Sequence, residues 1–392
     1  MNIDIIDYES CSAAGINLAA LRVSLRQHKS GLIKNDLPDS ALNTWIGRVE
    51  QVDAIDDLQQ WQSRNNALAA LGLEQGAIKQ TLANLTKKYG SARIGIVMGS
   101  STSSIDRTET AYTDLDTNGE LKPKFRQPLV HNPHAPSLFV AHYTGITGPS
   151  LTINTACSSS AKVFATGARW LEFGIVDAVL VGGVDTLCLS VLHGFNSLQL
   201  LSENPCKPFD QHRDGINLGE ASGFAILQRG AENTNSSGIR LTGYGESSDA
   251  HHMSHPHPDG LGAKMSMTQA LQRAQLPPDA IDYINLHGTS SRANDLIEGR
   301  LVSELFPRTT LCSSTKAWMG HTLGAAGITE AIIAMDTLKT NTIPGSMNLE
   351  TLDQALDFSI QATDQQRVCQ HVMTNSFGFG GNNCTLLFSR VG

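Results

Sequence analysis

Thr152-Ile153-Asn154-Thr155-Ala156-Cys157-Ser158-Ser159-Ser160-Ala161-Lys162-Val163 sets one cysteine between a short apolar run and a helical pattern. Beyond it, Ala161, Val163, Phe164, Ala165, Ala168, Trp170 and Leu171 recur at helical spacing. At a strand-to-helix junction, unpaired backbone N–H groups and the helix dipole favour a thiolate. Small neighbours leave room for a substrate to reach the sulfur. The same pattern suits a buried, inert cysteine that packs as a small hydrophobe. The rest of the chain must decide between the two.

Outward from this junction, strands alternate with helices. Residues 93–99 read as a buried strand that runs into the small polar loop 100–104. Residues 176–185 form a near-continuous apolar run, as in strands covered on both faces. Residues 281–286 make a third strand, ending in His287-Gly288-Thr289-Ser290-Ser291, with a helix from Asn294. Helical periodicity also marks residues 17–28, 55–88 and 262–276. Residues 108–136 carry Pro123, Pro128, Pro133 and Pro136 and predict a long surface excursion. The alternation argues for α/β layering. Strand, glycine and a Ser/Thr cluster at 94–104 return at 284–291, a faint sign of duplication. The linker-like residues 231–238 place the boundary between an N-terminal half, 1–238, and a C-terminal half, 239–392.

Composition narrows the function. The chain has 392 residues, 40% of them hydrophobic, with a net charge of −8. That charge argues against nucleic acid or an anionic membrane as default partner. Cysteines at 11, 157, 188, 206, 312, 369 and 384 are odd in number and lack CxxC spacing, so neither a disulfide framework nor a zinc knuckle is indicated. The acidic start Met1-Asn2-Ile3-Asp4 is not a secretory signal, no apolar run has membrane-spanning length, and a cytoplasmic location is expected.

Two further segments complete a constellation. Ser313-Ser314-Thr315-Lys316-Ala317-Trp318-Met319-Gly320-His321 leads into Gly324-Ala325-Ala326-Gly327 and Glu330, and the C-terminal region carries Asn375-Ser376-Phe377-Gly378-Phe379-Gly380-Gly381-Asn382. With Cys157 in TACSSS and His287 in HGTSS, the order and spacing from about residue 93 onward resemble the β-ketoacyl-acyl carrier protein synthases. These are decarboxylating chain-elongation enzymes with one cysteine and two histidines.

The resemblance implies a thiolase-like fold: two similar α/β halves, each with a mixed five-stranded sheet, in five α-β-α-β-α layers. It implies a catalytic set of Cys157, His287, His321 and Lys316. Cys157 holds the acyl group as a thioester, being both nucleophile and leaving group. His287 and His321 donate ring N–H groups to the enolate oxygen after malonyl decarboxylation. Lys316, paired with Glu330, is electrostatic and structural. Backbone N–H groups of Cys157 and Phe379 form the oxyanion hole, Phe379 gates the acyl pocket and Phe377 supports the site. Thr289 and Ser291 bind the pantetheine arm. No cofactor is implied, because substrates arrive on the phosphopantetheine arm of acyl carrier protein.

Family members are dimers, and the partner is a second copy or a chain-length-factor-like homologue lacking the cysteine. An acidic carrier calls for a basic docking patch, for which Arg64, Lys122, Lys124 and Arg126 are candidates. His251, His252, His255 and His257 invite a metal hypothesis, but Pro256 and Pro258 break regular ligand geometry, and no metal is expected. Departures from the family pattern at Thr102, Met319 and Asn382 bear on acyl preference. So does the Gly219-Glu220-Ala221 form, shared with some relatives from polyene and aryl polyene pathways. Fatty-acid elongation is the other pathway reading. A degradative thiolase, an acyl hydrolase and a non-catalytic partner subunit are the competing functions.

Overall fold

A computed structural model describes residues 2–52, 58–230 and 238–391. The ten strands of its main sheet fall into two sets with one plan. The first comprises β1 (Ile3–Ser12), β2 (Ile94–Gly99), β3 (Ser150–Ile153), β4 (Ala178–Asp185) and β5 (Ala221–Arg229), ordered β3-β2-β4-β5-β1. The second comprises β6 (Ile239–Ser248), β7 (Tyr283–Asn285), β8 (Leu311–Ser313), β9 (His371–Gly378) and β10 (Asn382–Arg390), ordered β8-β7-β9-β10-β6. In each set the third, second and fourth strands are parallel neighbours, and the fifth and first follow antiparallel. The faint sequence echo is thus one copy of a shared topology.

The sets meet edge to edge. β1 pairs with β6 through Ile3↔Leu241, Asp4↔Arg240 and Ile5↔Ile239, which joins ten strands by a three-residue seam. Asp4 is buried there and accepts from Arg240 at 2.8 Å, so the charge crossing the seam is compensated. β4 is buried at every residue, which explains its lack of alternation.

The helices Ser159–Glu172 and Ala326–Thr340 touch each other and strands of both sets, forming the middle layer. Ala326 to Leu338 is buried all round, as a helix with protein on every side must be. Arg64–Leu73 and Ala135–Thr144 cover the first set from outside, and Leu261–Ala274 covers the second. The five-layer expectation therefore holds.

Residues 231–237 and residues 55–57 of the expected helical stretch lie outside the described residues. The predicted excursion lies at the surface over most of its length. Its first residues belong to the helix Ile105–Thr113, and the buried Phe125 and Val130 anchor it to the body. No helix among the described residues is long and apolar enough to cross a membrane.

Candidate active site

Cys157 sits on a turn held by its small neighbours. Ala156 takes φ +51°, an uncommon left-handed value for a residue with a Cβ. Ser159 Oγ accepts from Thr155 N–H at 2.9 Å and donates to the Ala156 carbonyl at 2.6 Å. Ser158 Oγ donates to the Thr155 carbonyl at 2.9 Å. The hydroxyls after the cysteine therefore hold the bend from which the helix Ser159–Glu172 starts.

His321 Nε2 lies 2.9 Å from Cys157 Sγ. Its segment reaches the sulfur because glycines clear the way: a Cβ on Gly219 would stand 2.0 Å from the Met319 carbonyl oxygen, and one on Gly47 would stand 1.9 Å from it. His321 N–H then donates to Asn217 O at 2.7 Å, and Gly219 N–H donates to His321 O at 3.0 Å.

His287 ends the segment after β7, its ring 5.4 Å from that of His321 and nearly perpendicular to it. Phe377 packs against its other side at 5.8 Å. One ligand-type atom each from Cys157, His287 and His321 lie within 4.8 Å of one another, all buried. Burial, then the Lys316 charge, hold both imidazoles well below their usual pKa, so they are neutral; His321 adds to the effect on His287.

Lys316 is buried and bonds to Glu330, to the His287 carbonyl and, at 3.5 Å, to His287 Nδ1. An ammonium only donates, so Nδ1 accepts and the His287 proton sits on Nε2. Burial raises Glu330 to about 7 against the pull of Lys316.

Burial also pushes the Cys157 thiol up to about 11. Backbone N–H groups of Phe379 and Cys157 and the Lys316 charge oppose this shift without overcoming it. The resting group is a thiol, contrary to the thiolate expected from the helix start. Desolvation outweighs the dipole.

The same two N–H groups, aimed at the sulfur, are the pair the family resemblance implies for an oxyanion hole. Phe379 follows Gly378, whose Cβ would lie 2.8 Å from Thr155 O, and precedes Gly380 at φ +76°. Its ring stacks on Phe195 at 5.3 Å.

A cleft of about 390 Å³ opens onto Cys157, His287, His321, Phe377 and Phe379. Thr289 and Ser291 line it, their hydroxyls 2.9 Å apart. The sequence thus named the inner wall. It missed two buried carboxylates that position it. Glu298 accepts from His287 N–H and Gly288 N–H at 2.8 Å each. Asp185 accepts from Ser100 Oγ, Thr102 N–H and Oγ1, and Gly324 N–H, tying the loop after β2 to the His321 segment. The available signal was acidic residues inside apolar or helical runs.

The docking residues fare differently. Arg64 donates to the fully buried Glu220 and to Val49 O, so its charge serves the interior. That pairing weakens its claim as a docking cation. Lys122 and Lys124 pair with Asp114, and Arg126 stands 3.7 Å from Glu120. The cleft's lining includes a different cation, Arg292. His252 and His255 approach at 3.2 Å between Nδ1 atoms on an exposed loop, and His255 lines the cleft.

Two family models match the chain: the N-terminal domain of β-ketoacyl synthase over residues 27–233 and its C-terminal domain over 239–350. The 3-oxoacyl-[acyl-carrier-protein] synthase 2 of Vibrio cholerae is 33% identical, with 76% of each chain covered. The mitochondrial 3-oxoacyl-[acyl-carrier-protein] synthase of Arabidopsis thaliana is 31% identical over 99% of this chain and 88% of its own. Among solved structures, the ketosynthase ApeO in complex with its chain length factor ApeC from Xenorhabdus doucetiae superposes with a TM-score of 0.89. It is 36% identical, over 100% of this chain and 98% of its own.

Proposed function

The chain belongs to the β-ketoacyl synthase family of acyltransferases, and from that premise we propose how its residues carry out the decarboxylative condensation that elongates an acyl chain. The observation that carries the reading is the Cys157, His287 and His321 cluster, within 4.8 Å at the inner end of a cleft.

Cys157 Sγ attacks the thioester carbonyl of an acyl group on the carrier's pantetheine arm. The S–H proton passes to His321 Nε2 and from there to the departing pantetheine sulfur. The oxyanion of each tetrahedral intermediate is held by the N–H groups of Cys157 and Phe379. A malonyl thioester then loses CO₂, and its enolate oxygen accepts from the neutral His287. His287 is set for this by the proton on Nε2. A neutral donor stabilises the enolate without quenching the carbanion. The enolate carbon attacks the acyl-cysteine carbonyl, the thiolate leaves and takes a proton from water, and a β-ketoacyl carrier is released. Lys316 and Glu330 hold His287 in this state, Phe377 backs its ring, and Thr289 and Ser291 hydrogen-bond the pantetheine amides. The reaction calls on no metal or cofactor of the enzyme's own.

The finer assignments form part of the same reading. Residues 1–238 and 239–392 are the two halves, and the enzyme is cytoplasmic. Its dimer partner is a chain-length-factor-like homologue, supported by the 36% identity to a ketosynthase solved with such a factor, and this chain is the active member. Lys122, Lys124 and Arg126 face the acidic carrier. An aryl polyene or polyene chain is the favoured substrate class. Turnover of saturated and conjugated acyl-carriers, with and without the partner, tests this: preference for conjugated chains supports it, and equal use of saturated chains by the lone protein contradicts it.

A further inference from the structure

Cys157, His287 and His321 form the one group of three or more potential metal-ligating side chains found close together among the described residues. A thiol with two imidazoles is the donor set of a zinc site with one open position. Tetrahedral zinc needs its donor atoms roughly 3.3–3.8 Å apart, and these lie within 4.8 Å, so movements of about 1 Å would complete the site. A nucleophile that must stay free to form thioesters therefore sits inside a latent metal trap.

We propose that Lys316 disfavours metal binding at this cluster. Its side chain is buried, and its three N–H bonds are matched by three acceptors: Glu330, the His287 carbonyl and His287 Nδ1. The last contact places the His287 proton on Nε2, the ring nitrogen that Lys316 leaves free. Zinc can bind Nε2 only if that proton moves to Nδ1, where it would point at an ammonium that has no lone pair. Binding also releases the Cys157 S–H proton to solvent as the S–metal bond forms, and brings a dication towards a fixed cation in a dry site. His321 adds no support, because its Nδ1 has no hydrogen-bond partner, whereas a ligating histidine normally donates its second N–H. Lys316 is thus a positioning residue that acts through His287, holding a hydrogen-bond donor where a ligand would otherwise form. The proposal relies on the reading of Cys157 as nucleophile only to say why exclusion matters.

The test needs no turnover. Cadmium is titrated into the chelator-treated wild type, Lys316→Met and Lys316→Gln proteins, and the ultraviolet thiolate-to-cadmium charge-transfer band is followed. Folding is checked by circular dichroism, and Cys157→Ala in each background assigns the band. The expected result is at least tenfold tighter cadmium binding in Lys316→Met than in wild type, with the band lost on adding Cys157→Ala. Lys316→Gln, which removes the charge but keeps a donor to Nδ1, should fall between them. Zinc should protect Cys157 from iodoacetamide in the same order. Equal affinity in wild type and Lys316→Met overturns the proposal. So does a Cys157-dependent band that saturates in wild type at one equivalent, which can be read even if the variants do not fold. Condensation assayed separately in chelator reports on the nucleophile reading alone.

Discussion

His321 Nε2 stands 2.9 Å from Cys157 Sγ in a pocket where burial keeps the imidazole neutral and the sulfur protonated. The pair stores no thiolate. Its proton leaves the sulfur only as a bond to carbon forms. Burial raises the thiol to about 11, so the thiolate fraction at neutral pH is small and grows with pH. Alkylation of Cys157 by iodoacetamide should therefore rise about tenfold per pH unit between pH 7 and 10. A plateau below pH 8 would mean a resting thiolate–imidazolium pair, contrary to this account.

Glu298 sets the backbone that carries His287. Glu298→Ala leaves two buried N–H groups without their acceptor, at a cost of about 2–4 kcal/mol in denaturant unfolding. The displaced imidazole should lower kcat by more than about tenfold, with little change in KM. Glu298→Gln keeps one acceptor and should recover part of both losses. Unchanged unfolding in Glu298→Ala would show that the carboxylate is dispensable.

Gly378 is required by space, not by its backbone angle, since its φ of −96° suits any residue. An added methyl would lie 2.8 Å from Thr155 O and 3.2 Å from Ser158 N, pressing the Phe379 loop away from the sulfur. Gly378→Ala should slow single-turnover acylation about 10²-fold, the loss expected for a displaced oxyanion donor. The cost in stability should stay at about 1–3 kcal/mol. Acylation at the wild-type rate would separate this loop from the oxyanion.

Arg64 is expected to matter for stability and not for carrier binding. Its guanidinium compensates the fully buried Glu220. Arg64→Ala should cost about 3–5 kcal/mol, the penalty for stranding a buried charge, and leave KM for the acyl-carrier unchanged. A raised KM at unchanged stability would restore it to the docking patch.

The sequence made the inner wall of the site legible, because each side chain of the Cys157 cluster sits in a local motif whose small residues serve that side chain. The serines after Cys157 hold its turn, and Gly378 gives Phe379 its approach. Strands such as β4 were legible because burial on both faces leaves an unbroken apolar run. What stayed hidden depends on distant partners. β1 carries the buried polar residues Asp4, Glu9, Ser10 and Ser12, and its place at the seam follows from pairing with residues more than 200 positions away. Asp185, Glu220 and Glu298 look like ordinary acidic residues until the fold brings backbone N–H groups or Arg64 to them. For the same reason Arg64 reads from sequence as a free surface cation.

The central claim is that Cys157 carries the acyl group through a condensation. Intact-protein mass spectrometry after incubation with an acyl-carrier thioester, with wild type beside Cys157→Ala, tests it most directly. The account predicts an acyl mass shift in wild type only, discharged as a β-ketoacyl carrier when malonyl-carrier is added. A shift that survives in Cys157→Ala, or one released as free acid with no β-ketoacyl product, would contradict it.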